Sequence, residues 1–281
     1  MISASVELNS RGLIWPLARL GFVLACGALL SSCSWFQQRQ LVVCADPNNL
    51  PFSNRAGAGF ENRIAELVAA SLDSKLSYVW WAQRRGYVRN TLGKDKCDLW
   101  PGVSAGVDML ATTRPYYRST YVFVTRKDRP LDGLTLDDPR LKHLKLGVQM
   151  VGDDGMNTPP AHALARRGMI ANVTGYMLYG DYARPNPPAA IVQGVEKGDV
   201  DAALVWGPLA GYFAARSPIP LRLEPITPWL DDERWPMIYD ISMGVQKDDA
   251  KLQRRIEIAL AKNKDRIASI LKAYSVPLVE S

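Results

Sequence analysis

Apolar and polar positions along this chain recur in two different periods, and the switches between them mark out the elements. Leu41-Val42-Val43-Cys44-Ala45 is a continuous apolar run of the kind shown by a strand buried on both faces. Asp46-Pro47-Asn48-Asn49-Leu50-Pro51 then supplies turn formers and two prolines that cannot extend a ladder. Phe60, Ile64, Leu67, Val68 and Leu72 recur at helical spacing, with Glu61 in the first turn, where a carboxylate suits the positive end of the helix dipole. Leu76 to Trp81 reads as a strand, Gly86 to Leu92 as a short helix and Leu99-Trp100 as the next strand. Strands alternating with helices imply a parallel sheet with right-handed crossovers. Ligands of such sheets meet the carboxyl ends of the strands, so the loops after Ala45, Trp81 and Pro101 face any site.

The same order returns further along, with strand Lys145 to Gln149, helix 159–167, strand Val173 to Tyr176, helix Pro188 to Lys197 and strand Ala202 to Trp206. Lys94 to Asp98 and Lys197 to Asp201 echo each other, each a helix end and charged turn entering an apolar strand that ends in tryptophan. Tyr121 to Val124 leads from the first half to the second, and Ile241 to Gln246 leads back to helices near Lys251 to Lys262 and Asp265 to Tyr274. The pattern predicts an α/β protein of two Rossmann-like lobes, residues 41–124 plus 240–281 and residues 125–239. Crossings near Thr125 and between Pro225 and Ile241 would form a two-segment hinge, and hinged lobes close over what lies between them.

The first residues do not belong to this pattern. Arg11 and Arg19 precede the apolar run Leu20 to Leu30, which is too short to span a bilayer that needs about 20 residues. Residues 1–32 therefore read as an export signal and residues 33–40 as a linker. Leu30-Ser31-Ser32-Cys33 is similar to a bacterial lipobox, which would put a lipid on Cys33; an ordinary cleavable signal is the alternative. A single anchor of that kind holds a protein to the membrane without embedding it. With Cys26 in the signal and Cys33 assigned to lipid, Cys44 and Cys97 remain, either as a disulfide in an oxidising compartment or as two buried thiols.

Composition narrows the function classes. Apolar residues make up 47% of the 281 and charged residues 22%, enough apolar surface to fold and too little charge for disorder. The formal charge of +6 falls to +5 without residues 1–32, which hold two arginines and one glutamate, and no basic run interleaved with aromatics points to nucleic acid. The chain has only His143 and His162, at no ligand spacing, so no zinc site and no cofactor motif is legible. Asp153-Asp154, between Gly152 and Gly155, lacks the later ligands of a calcium hand.

Gly102-Val103-Ser104-Ala105-Gly106 matches a nucleophile elbow after a strand, yet no histidine occurs in the last 119 residues to complete a triad. Ser104 is then a hydroxyl exposed at a strand end, available to a ligand. Asn157-Thr158 precede Pro159-Pro160 as a helix start whose amides would face the cleft. The Trp80 to Asn90 segment gathers Trp81, Gln83, Arg84 and Arg85 around a strand end, with Trp80 sent to the opposite, core side by strand alternation. Asn48, Asn49 and Phe52 after the first strand, Arg114, Asp181 and Trp206 complete the residues expected in the cleft.

Four runs carry a resemblance: Cys44 to Ser53, Trp80 to Asn90, Arg114-Pro115-Tyr116-Tyr117-Arg118-Ser119-Thr120-Tyr121, and Val205-Trp206-Gly207-Pro208-Leu209-Ala210-Gly211-Tyr212. Over residues 41–275 the chain resembles the quinoprotein dehydrogenase-associated solute-binding-like proteins, the J proteins of methanol oxidation clusters. The resemblance implies a type II periplasmic binding-protein fold, a periplasmic location, no catalysis, and a PQQ-dependent alcohol dehydrogenase as partner, with its cytochrome c a second candidate. A small-molecule ligand of the transporter-receptor kind is the competing expectation. Gly59-Phe60-Glu61 is similar to the Gly-Phe-Asp helix start of amino-acid receptors. Their carboxylate-binding arginine has no counterpart before Arg114, however, and Val205-Trp206-Gly207 stands where their amine-binding aspartate would be.

Overall fold

The computed structural model describes residues 39–84, 86–150, 157–177 and 183–280. The export signal, Cys33, Arg85, the Asp153-Asp154 pair and Asp181 lie outside the described residues. The first lobe is built on the parallel pair β1 (Arg39–Ala45) and β2 (Ser74–Trp80), bridged by α1 (Phe60–Ser71). β1 also bridges in parallel to Leu99 beside β3 (Trp100–Ser104), with the Cys44 amide donating to the Leu99 carbonyl at 2.8 Å. β4 (Tyr117–Arg126) then leaves for the second lobe, which holds β5 (Leu146–Met150), α2 (Pro159–Arg166), β6 (Val173–Met177), α3 (Ala190–Lys197), β7 (Ala202–Trp206), α4 (Gly207–Ala214) and β8 (Leu221–Pro225). β9 (Ile238–Val245) returns to the first lobe, followed by α5 (Ala250–Lys262) and α6 (Lys264–Ala273).

Strand order shows the duplication that the sequence echo suggests. The first lobe runs β2-β1-β3-β9-β4 and the second β6-β5-β7-β4-β8, three parallel strands followed by an antiparallel one in both. In each lobe that antiparallel strand arrives by crossing from the other. β4 serves both sheets along its length: Tyr117 to Thr120 pair with β9, whereas Tyr121 to Arg126 pair with β7 and β8. One hydrogen-bonded path thus runs through the molecule, but β9 and β7 never flank the same residue of β4. The pairing partner changes between Thr120 and Tyr121, a few residues before Thr125, and the strand stays extended through the change.

Side-chain bonds pin this crossing. Arg118 donates from Nε and Nη2 to Asp240 Oδ1 and Oδ2, both at 2.7 Å, a bidentate pair between register partners. Ser119 Oγ donates to the Pro277 carbonyl and Thr120 Oγ1 to that of Met237. The chain after α6 therefore lies along the crossing and packs on α4, where a Cβ on Gly211 would fall 1.9 Å from the Ser275 carbonyl oxygen. Glycine at that position lets the two backbones meet.

Separate cores fill the lobes. Phe60, Ile64, Val43, Leu99, Met243 and Ile256 form the first, and the Phe60 ring meets those of Phe52, Tyr117 and Tyr274 with centroids 5.4 to 6.1 Å apart. In the second lobe Phe123, Leu146 and Leu164 pack on one face of the sheet, and Val124, Ile191 and Val205 on the other. The helix expected at 86–92 shortens to one turn, Tyr87–Asn90, because this segment must bring Cys97 to Cys44. Those cysteines form a disulfide, with Cα atoms 5.6 Å apart, packed among Tyr87, Leu92, Val103 and Leu110.

The disulfide links residues 53 apart in sequence, and closing a loop of that size removes about 4 kcal/mol of denatured-state entropy in the chain-entropy model. Denaturant titration with and without dithiothreitol should show a loss of that order on reduction. The same loss is expected in Cys44→Ser/Cys97→Ser, which should no longer respond to the reductant.

Candidate functional site

The carboxyl ends of β1, β3, β5 and β7 face one another across a cavity of about 310 Å³ between the lobes. The first lobe contributes Asn49, Phe52, Gln83 and Ser104 from the loops and strand ends the sequence pointed to. The second contributes Gln149, Met150, Thr158 and Trp206. The crossing strands add Tyr117, Tyr121, Tyr239 and Ile241.

Polar side chains around the cavity are mostly engaged with one another. Asn49 Nδ2 donates to Gln83 Oε1 at 2.9 Å, while the buried Asn49 Oδ1 has no partner among the described residues. Asp46 takes the amides of Gln83 and Asn48, and its burial raises its pKa despite those bonds. Gln149 Oε1 accepts the Trp206 amide at 2.7 Å, and Thr158 Oγ1 donates to the Gln149 carbonyl. Trp206, Tyr121 and Tyr239 form an aromatic trio, edge to face, with centroids 5.1 to 6.4 Å apart.

Glu61 was not expected here. The Phe60 and Glu61 amides donate to the carbonyls of Pro51 and Phe52, which seats the start of α1 against the loop and brings the Glu61 side chain to the cavity wall. The residue is 5% exposed, no described group donates to its carboxyl, and burial pushes that carboxyl up to about 8. Gly102 makes room for it, since a Cβ there would fall 2.0 Å from Glu61 Oε1. The Gly-x-Ser-x-Gly motif thus serves packing. No helix leaves it, and neither histidine lines the cavity; the His162 ring is stacked on Trp235 with centroids 3.9 Å apart.

Other expected residues lie elsewhere. Arg114 is 82% exposed at the far edge, where its amide donates to Glu257 Oε1, because Pro115 turns the chain away before β4 begins. Asn157 is not in the cavity wall. Asn48, Trp81 and Arg84 line a second recess of about 660 Å³, together with Arg55, Trp80 and Arg184. Trp80 is half-buried and stacked on Tyr78 rather than placed in the core, because β2 is an edge strand with both faces partly open. Arg55 lies 5.8 Å from the Trp80 ring centroid and Lys96 4.8 Å from that of Trp81. Asn48 Nδ2 donates to the Arg184 carbonyl, so this recess also joins the two lobes. Tyr117 and Tyr121 were legible only as members of the Arg114 to Tyr121 run. Among the described residues no group of three His, Cys, Asp or Glu side chains could hold a metal, and no described helix is long and apolar enough to cross a membrane.

This geometry has known counterparts. Protein MoxJ of Methylorubrum extorquens is 36% identical over 251 residues, 85% of this chain and 81% of the relative. Protein MoxJ of Paracoccus denitrificans is 33% identical over 282 residues, 93% of this chain and 99% of that one. The chain belongs to the MoxJ family. The crystal structure of the periplasmic binding protein XoxJ from Methylobacterium extorquens AM1 superimposes with a TM-score of 0.70 at 36% identity, covering 86% of this chain and all of that one. MxaJ from Methlophaga aminisulfidivorans MPT gives 0.74 at 28% identity, covering 85% and all of it. No protein-family model matches the chain. The chain therefore has the type II periplasmic binding-protein fold.

The buried Glu61 carboxyl makes stability depend on pH. The folded protein holds this proton more tightly than the unfolded chain, whose carboxyl titrates near 4.5. The stability associated with it is fully present below that pH and is lost as pH rises towards about 8. Measured against Glu61→Gln by urea unfolding, the parent should lose on the order of 5 kcal/mol across that window and stay level above it.

Proposed function

We propose that this protein is a periplasmic accessory partner of a PQQ-dependent alcohol dehydrogenase, non-catalytic, holding the dehydrogenase or a segment of it in or beside the interlobe cleft. Membership of the MoxJ family supports the setting. The observation that carries the reading is the cavity wall: its described residues include an unpaired acid and no lysine or arginine. A receptor for free amino acids needs a cation for the α-carboxylate, and Arg114, the first arginine after Ser104, is turned outward.

The second recess suits the rim of such a contact. Arg55, Arg84 and Arg184 beside Trp80 and Trp81 combine planar donors with aromatic area, the residue types that dominate binding at interfaces. An acidic patch on the dehydrogenase fits it, with the partner's cytochrome c a further candidate. Export and a lipid on Cys33 would keep the protein at the periplasmic membrane face.

A transporter receptor for a small organic solute is the second reading, favoured by the half-open cleft of about 310 Å³ between the lobes. A ligand at a hundred times its dissociation constant stabilises by about 2.7 kcal/mol, so a thermal-shift screen of alcohols and organic acids separates the two. For the leading reading, the protein should co-purify with the dehydrogenase, and gene deletion should impair dehydrogenase assembly or activity. Arg55→Glu/Arg84→Glu should weaken capture roughly tenfold or more and flatten its salt dependence. Normal assembly in the deletion strain would refute the accessory role.

A further inference from the structure

The interlobe cavity presents acceptors and aromatic rings together with a buried acid that has no base to meet it. The Glu61 carboxyl lines the wall without a donor from any described group. Asn49, in the same wall, donates from its amide nitrogen to Gln83 Oε1. Tyr121, Trp206 and Tyr239 supply aromatic surface from both lobes. Gly102 holds the arrangement open, because any side chain there would displace the carboxyl.

A buried carboxyl in such surroundings has two stable states. It keeps its proton, as burial dictates for the empty site, or it ionises against a cation that enters with it. A cation carrying N–H donors answers both features at once: charge and hydrogen bonds for Glu61, and attraction to the aromatic quadrupoles. Once Glu61 is ionised, an anion meets repulsion instead.

We propose that the interlobe cavity is a site for an organic ammonium or guanidinium group, received by Glu61 as carboxylate and enclosed by Tyr121, Trp206 and Tyr239. The inference rests on the reading of the cleft as the ligand-receiving surface and specifies the chemistry it takes. The group arrives either on a free small amine or as a lysine or arginine side chain of the bound partner segment. Binding moves one proton: the Glu61 O–H releases it to solvent as the cation arrives, and the cation itself stays protonated.

Isothermal titration of the protein with n-butylammonium and butylguanidinium, against the isosteric neutral 1-butanol, tests this in buffers of different ionisation enthalpy at pH 7. The cations should bind roughly tenfold or more tightly than the alcohol. They should release close to one proton each, with affinity rising until pH reaches about 8. Glu61→Gln should abolish the proton release and the preference for the cation. Gly102→Ala, which crowds the carboxyl without removing it, should weaken cation binding. Equal binding of 1-butanol, no cation binding at millimolar concentration, or unchanged proton release in Glu61→Gln would each overturn the proposal. None of these outcomes touches capture of the dehydrogenase through the arginine rim, so the two readings fail separately. Adding n-butylammonium to the captured complex separates the sources: displacement assigns the cation to a partner side chain, and retention assigns it to a free amine.

Discussion

A strand can hydrogen-bond on only two edges, and β4 uses them for different sheets at its two ends. Residues Tyr117 to Thr120 complete the first lobe and Tyr121 to Arg126 complete the second, so neither sheet closes without the other. The Arg118–Asp240 pair and the carbonyls of Met237 and Pro277 fasten the handover from the side. Tyr117 and Tyr121 sit four residues apart on one face of this strand, one on each side of the crossing. The strand that joins the lobes is therefore also a wall of the cavity.

That placement gives the cavity its chemistry. Its polar groups reach it from strand ends and from the first turn of α1, where loop carbonyls already occupy the leading amides. A helix start that might have attracted an anion instead presents a carboxyl, Glu61, kept protonated by burial. Trp206, at the end of β7, stands edge to face against Tyr121 and Tyr239 and narrows the space without filling it. The rim differs in character, with Arg55 over Trp80 and Lys96 over Trp81 beside a hydrogen bond that joins the lobes. A neutral, aromatic interior and a basic, aromatic edge make two surfaces of different character, suited to different parts of a partner.

Much of the fold was legible because burial has a period. The runs Leu41 to Ala45 and Ala202 to Trp206 are apolar without alternation since both faces are covered, and Phe60 to Leu72 repeats at the helical spacing that one buried face requires. The position of the crossing in β4 left no mark, because an extended strand reads the same whichever sheet it joins. Asn49, Gln83 and Ser104 could be placed at the cavity from loops and turns at strand ends, whereas Trp80 was misplaced because alternation does not tell an edge strand from a central one.

The sequence by itself determined two α/β halves, the loops that meet between them, the pairing of Cys44 with Cys97 as one of two alternatives, and the lack of histidines for catalysis. These follow from local spacing and composition, which act within a few residues. Only the tertiary structure decided that Glu61 faces the cavity, that Gly102 leaves it room, and that Arg114 points away. Burial and the loss of a partner are properties of what the rest of the chain does around a residue, and a carboxyl in the first turn of a helix reads the same whether water or Gly102 lies beside it.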